Sequence, residues 1–580
     1  GVQTCALPIY DFNNLQNHQT DQRIFTRRPF LPYIAIWTTE HLKTGARRAM
    51  KKLIIIISLI ALSGCDQEVS HQQEGSSAQT LSGSASASTD INPNIERLFL
   101  QQLSASGVII KWRGAADKVR LGKEAGKLDT EFTAMMEDGH QIAHVSGLEA
   151  DTDYYYSLGD SPDVTQTYRF RTAPETGSSP RDGNIRFWLL GDSGTATEFD
   201  RDGNPSHPGE AEAVLEGFKH YNNSVEGDQH IDAVLLLGDN AYPAGTDAEW
   251  QGAFFDIYPE VLRSSVVLPT IGNHEMGVAP MNICLFVDML GCDLLGEVVF
   301  PLGGTSMSSD PSSYDSDGDG PDPEGLPYLN IFTLPTRAEL GGAASGTEQY
   351  YSSDFGNVHI ISLDSQLSNS DDDLRQAMKD WLAADLQASA DQDWKIVIFH
   401  HPPYSKGENH DSDLEQREID MRTTFAPVFE TYGVDAVYSG HSHSYERSWY
   451  LNGHYGLSDS FNVDDHAAKD SGGNAAFGGP DAPYEQDNRL VYTVAGSSGK
   501  FNKWHPCEPD QFINGQAFGC TMDNWLLHPA HRTFEPLADD YRRHGIARLG
   551  SVMIDATATT LTSRFIDDKG AVLDAFVIQK

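Results

Sequence analysis

The sequence predicts an N-terminal all-β sandwich followed by an α/β layered domain in which a β-sheet sandwich is flanked by helices. Three observations carry that reading. Between Asn92 and Pro174, short β-rich runs recur with turn residues between them. After a polar spacer, Glu175–Gly183, near-continuous apolar runs alternate with helical patterns, as expected of strands buried on both faces. Five of these later runs are followed within two residues by Gly or His that opens a motif of Gly, Asp, Asn and His.

In chain order, residues 1–49 show neither a sustained hydrophobic period nor a motif and are expected to be upstream or artefactual translation. Gly1–Ile9 resemble the translation of a sequencing-adapter oligonucleotide, and Met50 is read as the start. Lys51 and Lys52 precede an apolar run, Leu53–Leu62, that is too short to span a bilayer, and Leu-Ser-Gly-Cys follows at 62–65. Residues 50–64 thus resemble a bacterial lipoprotein signal peptide. That resemblance implies cleavage before Cys65, lipidation of its thiol, and a lipid-anchored protein of the bacterial cell envelope, periplasmic or surface-facing, that meets the membrane through its N-terminal lipid. Residues 65–91 are Ser, Gln, Ala and Gly with almost no large apolar side chain, so they cannot bury enough surface to fold and are read as a flexible tether.

Residues 92–175 are expected to form the sandwich, with strands at Glu96–Gln102, Gly107–Trp112, Lys118–Leu121, His140–His144, Asp153–Leu158 and Thr167–Thr172. Trp112 is its expected core residue, and Leu148–Tyr154 resembles the tyrosine corner of fibronectin type III domains. Residues 184–580 are expected to form the α/β domain. Its strand candidates are Ile185–Leu190, Ala233–Leu237, Val266–Thr270, Val358–Leu363, Ile396–Phe399 and Ala436–Tyr438. Helices are expected at Glu210–Tyr221, Asp372–Gln387 and Ile419–Tyr432, and Leu490–Ala495 and Ile546–Ile578 supply closing strands.

The formal net charge of −42 excludes phosphate-backbone recognition by excess Lys and Arg, so no nucleic-acid binding is expected. A phosphate-bearing substrate then needs a local positive site, and the strand ends offer one. Gly191-Asp192-Ser193-Gly194, Gly238-Asp239-Asn240-Ala241-Tyr242, Gly272-Asn273-His274-Glu275, His400-His401-Pro402 and Gly440-His441-Ser442-His443 follow five strand candidates in turn. In layered α/β folds chemistry gathers beyond the carboxyl ends of the strands. Carboxylates and an amide oxygen suit hard cations, imidazoles suit iron or zinc, and one carboxylate can bridge two ions.

The ordered set Asp-x-Gly, Gly-Asp-x-x-Tyr, Gly-Asn-His-Glu, Val-x-x-His and Gly-His-x-His resembles the purple acid phosphatase branch of the calcineurin-like metallophosphoesterases. The resemblance spans Asp192–His443, and His441–Arg447 and the sandwich upstream agree with it. It implies an acid phosphatase, a metal-dependent hydrolase of phosphate monoesters. Ferric iron would be held by Asp192, Tyr242 and His443, and a divalent ion, Zn2+, Mn2+ or Fe2+, by Asn273, His400 and His441, with Asp239 as the bridge. Tyr242 separates this branch from metallophosphoesterases in general, because a phenolate on ferric iron gives the purple colour. The resemblance also gives His274 contact with the phosphoryl group and the role of general acid, and puts His410 where plant members keep substrate-binding histidines. His401 is expected to support the site without binding metal.

Two segments depart from that pattern. Gly277–Thr347 contains Asp315-Ser-Asp-Gly-Asp-Gly, whose carboxylates Asp315, Asp317 and Asp319 resemble the start of a Ca2+ loop, although Leu326 stands where Glu is expected. Tyr450–Asn488 is expected to be a long loop near the pocket mouth, with His454 and His466 on its surface. Cys284, Cys292, Cys507 and Cys520 allow three pairings, and short separations favour Cys284–Cys292 and Cys507–Cys520. Alternatives to the monoesterase are a phosphodiesterase or nucleotidase on the same fold and an inactive, surface-anchored binding lipoprotein.

Overall fold

The computed structural model describes residues 95–580 except 161–165, 201–202, 278–280, 283–298, 301–307, 318–319, 371, 408–409, 504–511, 514–515, 518–523 and 535–543. The lipoprotein signal, Cys65 and the tether lie outside the described residues, as do Asp319, Cys284, Cys292, Cys507 and Cys520.

Eight strands open the described chain: β1 Ile95–Gln101, β2 Gly107–Gly114, β3 Lys118–Gly122, β4 Thr130–Thr133, β5 Met135–Glu137, β6 His140–Ser146, β7 Asp153–Leu158 and β8 Tyr168–Arg171. β4, β3, β7 and β8 make one antiparallel sheet, whereas β1, β2, β6 and β5 extend a much larger one. Trp112 is fully buried, and the Tyr154 hydroxyl accepts the Glu149 N–H at 2.9 Å. β4 and β5, which sequence patterning misses, are short edge strands with no buried residue, so no apolar alternation announces them.

The α/β part holds two sheets. β9 (Ile185–Leu190), β10 (Ala233–Leu236) and β11 (Val266–Pro269) run parallel at the centre of the larger one, flanked on one side by the closing strands Gly550–Ala556, Thr560–Asp567 and Val572–Gln579. On the other side β1 pairs parallel to β11 through Leu100 and Val266, so the N-terminal strands continue this sheet. The second sheet orders Tyr351–Phe355, Val358–Ser362, Trp394–Ile398, Ala436–Ser439, Val491–Ala495 and Tyr445–Arg447. Tyr351–Phe355, also missed from sequence, reads Tyr-Ser-Ser-Asp-Phe, and its buried polar residues hide the strand.

Alternation along the strands sorts the core. Phe187 meets Phe355 edge-on at 5.5 Å between the sheets, while the next residue, Trp188, stacks at 3.9 Å on Phe218 of helix Glu210–Ser224. In the second sheet Val358, Ile360, Ile396 and Ile398 join the core shared with β9–β11. Ile361, Val397 and Val437 join Met378, Trp381, Leu382 and Phe429 of helices Asp372–Ala388 and Ala426–Tyr432. Burying each large side chain contributes roughly 1.5–3 kcal/mol, so this two-sided pattern fixes strand register and with it the strand ends.

The predicted helix Ile419–Tyr432 needs correction. The chain is helical over Gln416–Asp420, makes one wide turn at Met421–Phe425, and resumes at Ala426–Tyr432. Pro427 supplies no N–H, which suits it to the first turn of a new helix and not to the middle of an old one. Both departing segments are partly built into the fold. Tyr328 of helix Pro327–Ile331 donates to the Pro269 carbonyl at 3.1 Å, and Tyr484–Glu485 pairs with the outer closing strand. His454, expected at the surface, is buried against Ser460, at 3.1 Å from its hydroxyl.

Candidate metal centre

The expected residues meet at the carboxyl ends of both sheets' strands. Asp192 follows β9, Asp239 and Tyr242 follow β10, and Asn273 and His274 follow β11. His400 follows Trp394–Ile398, and His441 and His443 follow Ala436–Ser439. Asp192, Asp239 and His441 all adopt left-handed backbone conformations, φ 56°, 54° and 68°, uncommon for residues with a Cβ and concentrated at functional sites. Each follows a glycine. At Gly238, φ 88°, a side chain would stand 2.6 Å from His400 Nδ1, so only glycine lets the two turns close.

Backbone bonds then aim the side chains. Asp192 Oδ2 accepts the His441 N–H at 2.8 Å, and Asp239 Oδ1 accepts the His274 N–H at 2.8 Å. The Tyr242 hydroxyl lies 3.0 Å from Asp192 Oδ1 and 3.2 Å from Asp239 Oδ2, and His443 Nε2 lies 3.5 Å from Asp192 Oδ1. Burial beside two carboxylates pushes the Tyr242 phenol well above its ordinary pKa.

His400 marks the centre of the arrangement. Its Nδ1 faces the Leu237 carbonyl at 2.8 Å and therefore carries a proton, which turns Nε2 toward Asn273 Oδ1 at 3.0 Å, His441 Nδ1 at 3.2 Å and Asp239 Oδ2 at 3.3 Å. His441 Nε2 faces Glu415 Oε2 at 3.0 Å, so the proton on that ring belongs there and Nδ1 offers a lone pair. Burial lowers His441 to about 4, keeping it neutral. Acceptors thus converge on one point from four residues, a donor set that calls for a cation. A proton on His400 answers it in part. Burial opposes that charge, yet neighbouring Asp239 holds the imidazole at about 9. Imidazole nitrogens together with carboxylate, amide and phenol oxygens fit hard to borderline metal ions. Asp192, Asp239 and His400 form one trio whose ligand atoms lie within 4.8 Å of one another, and His400, His401 and His441 form another.

Two carboxylates unanticipated in the sequence brace the centre. Glu275, fully buried, accepts the N–H groups of Asp239 at 2.8 Å, Asn240 at 2.8 Å and Gly272 at 2.7 Å, locking the β10 and β11 turns together. Burial and the Asp239 charge push its carboxyl up to about 8. Glu415 spans His441 and His410, receiving His410 Nδ1 at 2.9 Å, and although burial opposes the charge, His410 and His441 hold its carboxyl well below the usual range. The structure places His410 beside the cluster, its ring 3.7 Å from that of His441. His401, bonded through Nδ1 to Ser365 Oγ at 2.8 Å, packs 4.4 Å from His441 as a supporting ring. Loss of such a partner typically weakens metal binding about 10- to 100-fold. Glu415→Gln is expected to weaken divalent-ion affinity by that factor, measured by competition with a chelator, with little change in Tm.

His274 sits beside these groups and is more open than most of them. Its Nδ1 bonds the Pro243 carbonyl at 2.7 Å, its ring packs 4.2 Å from that of Tyr242, and Nε2 lies 3.9 Å from Asp239 Oδ2. The Ca2+ candidate is organised differently. Asp315 Oδ2 accepts the Gly320 N–H at 3.1 Å and Oδ1 the Asp317 N–H at 3.2 Å, so this carboxylate closes its own loop.

The side chains form a buried cluster of hard and borderline metal ligands at the ends of parallel strands. Residues 185–445 match the family model described as calcineurin-like phosphoesterase. Among curated relatives, purple acid phosphatase 1 of Ipomoea batatas is 27% identical over 368 residues, 59% of this chain and 62% of that protein. Phosphoenolpyruvate phosphatase of Allium cepa is 28% identical over 52% of this chain and 49% of its own length. The chain therefore spans about half to three fifths of the length of these relatives. The solved structure of purple acid phosphatase PPD1 from yellow lupin seeds superimposes with a TM-score of 0.53 at 17% identity, covering 84% of this chain and 75% of that one, a likeness of fold.

Proposed function

We propose that this chain hydrolyses phosphate monoesters to orthophosphate at a two-metal centre. In this reading Asp192, Tyr242 and His443 hold ferric iron, Asn273, His400 and His441 hold a divalent ion, and Asp239 lies between. The observation that carries it is the convergence of Asn273 Oδ1, Asp239 Oδ2 and His441 Nδ1 on His400 Nε2, with the Tyr242 oxygen bonded to both carboxylates. Bound ions supply Lewis-acid polarisation of a phosphoryl group and of an attacking water. The chain's own part is to hold these donors in register.

His274 is the acid. With the Nδ1 proton given to the Pro243 carbonyl, Nε2 delivers a proton to the departing alkoxide only from the imidazolium, which burial disfavours and the neighbouring Asp239 carboxylate favours, and the ring is left neutral. His410, held through Nδ1 by Glu415, is assigned the role of donor to a phosphoryl oxygen. The strands β1–β8 are read as a fibronectin type III-like scaffold, on the buried Trp112 and the Tyr154 corner bond.

The test compares kcat/KM on an aryl monoester and the matching diester, with Tyr242→Phe alongside. The expected outcome is a preference for the monoester and a visible absorption band that Tyr242→Phe abolishes while Tm holds. Faster diester hydrolysis would transfer the reading to a phosphodiesterase, and full metal loading with neither ester cleaved would leave a binding protein.

A further inference from the structure

Lys500 stands on the face of the phenol that the proposed ligand set assigns to iron. Its ammonium nitrogen lies 3.7 Å from the centre of the Tyr242 ring and 3.1 Å from Glu198 Oε2. The placement is anchored. Lys500 closes the turn that follows strand Val491–Ala495, and that turn is knitted to the one carrying Asp192. Ser498 N donates to the Gly191 carbonyl at 3.1 Å, Gly191 N to Ser498 Oγ at 3.2 Å, and Thr195 Oγ1 to the Gly499 carbonyl at 2.8 Å. A side chain at Gly499 would stand 2.7 Å from the Asp192 carbonyl oxygen, so the two turns pack without space for one. Glu198 N is tied to the Thr195 carbonyl, and Thr197 Oγ1 to the Tyr242 carbonyl at 2.8 Å. Cation, carboxylate and phenol are thus set by one group of turns.

A lysine only 9% exposed needs compensation for lost hydration. Glu198 neutralises the charge, but its own side chain is 29% exposed and does not require the ammonium to lie over a ring. The ring contact has an electronic consequence. A cation above an aromatic face is attracted to the π electrons, more strongly as the ring gains negative charge, and lowers their energy.

We infer that Lys500 is a positioning residue that weakens Tyr242 as an electron donor and so sets the energy of charge transfer from this ring to ferric iron. The inference rests on the proposed reading of Tyr242 as an iron ligand. The sign follows from electrostatics: with the cation removed, ring electrons rise in energy, transfer needs less light energy, and the band moves to longer wavelength.

The test is the visible spectrum of the purified protein and its variants, with iron measured on the same samples. Lys500→Met is expected to shift the band by about 10–30 nm to longer wavelength at unchanged iron content, the size of a desolvated cation–ring interaction. Lys500→Arg is expected to restore the wild-type position. Lys500→Gln, which keeps a hydrogen-bonding group for Glu198 without the charge, is expected to shift like Met and serves if Lys500→Met fails to fold. An unmoved band in both neutral variants at equal iron content overturns the role given to Lys500. A wild type that holds iron yet shows no visible band removes Tyr242 from the ligand set, and this inference falls with it.

Discussion

Asp239→Asn is expected to lower kcat by about 10³-fold or more, because it strikes the carboxylate whose Oδ2 lies beside both the Tyr242 hydroxyl and His400 Nε2. Asp239 Oδ2 lies 3.2 Å from the Tyr242 hydroxyl and 3.3 Å from His400 Nε2, while Oδ1 holds the His274 N–H. The Asn oxygen can keep the His274 bond, so the turn survives. The charge that would bridge two cations does not. Asp239 is also held well below the carboxylate range against the opposing effect of burial, chiefly by His400 and His274, so the folded site is built around its anion. In the metal-free protein the substitution removes one charge from a buried cluster that includes Glu275, and Tm is expected to move by a few degrees at most. Activity, metal content and Tm measured together separate this outcome from unfolding. A variant that keeps two metals and wild-type turnover would remove Asp239 from the centre.

His274→Ala is expected to lower kcat about 10²- to 10⁴-fold on an alkyl phosphate, the range typical of a positioned general acid. The dependence on leaving group carries the diagnosis. An alkoxide needs a proton as its bond to phosphorus breaks, whereas a nitrophenolate departs without one. The loss on a nitrophenyl ester should therefore be much smaller. His274 meets the geometric requirement because its Nδ1 is fixed on Pro243 and its side chain remains 23% exposed, against 3% for Asp239. Equal losses on both esters would assign His274 to ordering the turn.

The sequence shows the strands that carry the centre because they are apolar on both faces and end abruptly on polar residues. Ile185–Leu190 is found with the boundaries read from the sequence, and Ala233, Val266, Val358 and Ala436 begin strands as expected. Ligand candidates are legible because five such strand ends occur in chain order, where any one alone would read as a turn. Braces are not legible. Glu415 acts on His441, 26 residues away, and on His410 through a loop with no periodicity. Glu275 lies within a motif, yet its work is done on the N–H groups of another turn. Lys500 is one lysine after a Gly-Ser run until the fold lays it on Tyr242. Such roles depend on pairing across strands, and no local spacing encodes them. His454 is misjudged in the opposite sense: it stands in a polar, glycine-rich loop and is nonetheless buried.

The most direct test of the two-metal centre is metal analysis of the purified protein joined to its visible spectrum. Two transition-metal equivalents per chain are expected, one of them iron, with an absorption band that disappears in Tyr242→Phe. A colourless protein carrying two equivalents of zinc or manganese would contradict the ferric assignment of Tyr242, and a protein that binds no metal under any loading condition would contradict the centre itself.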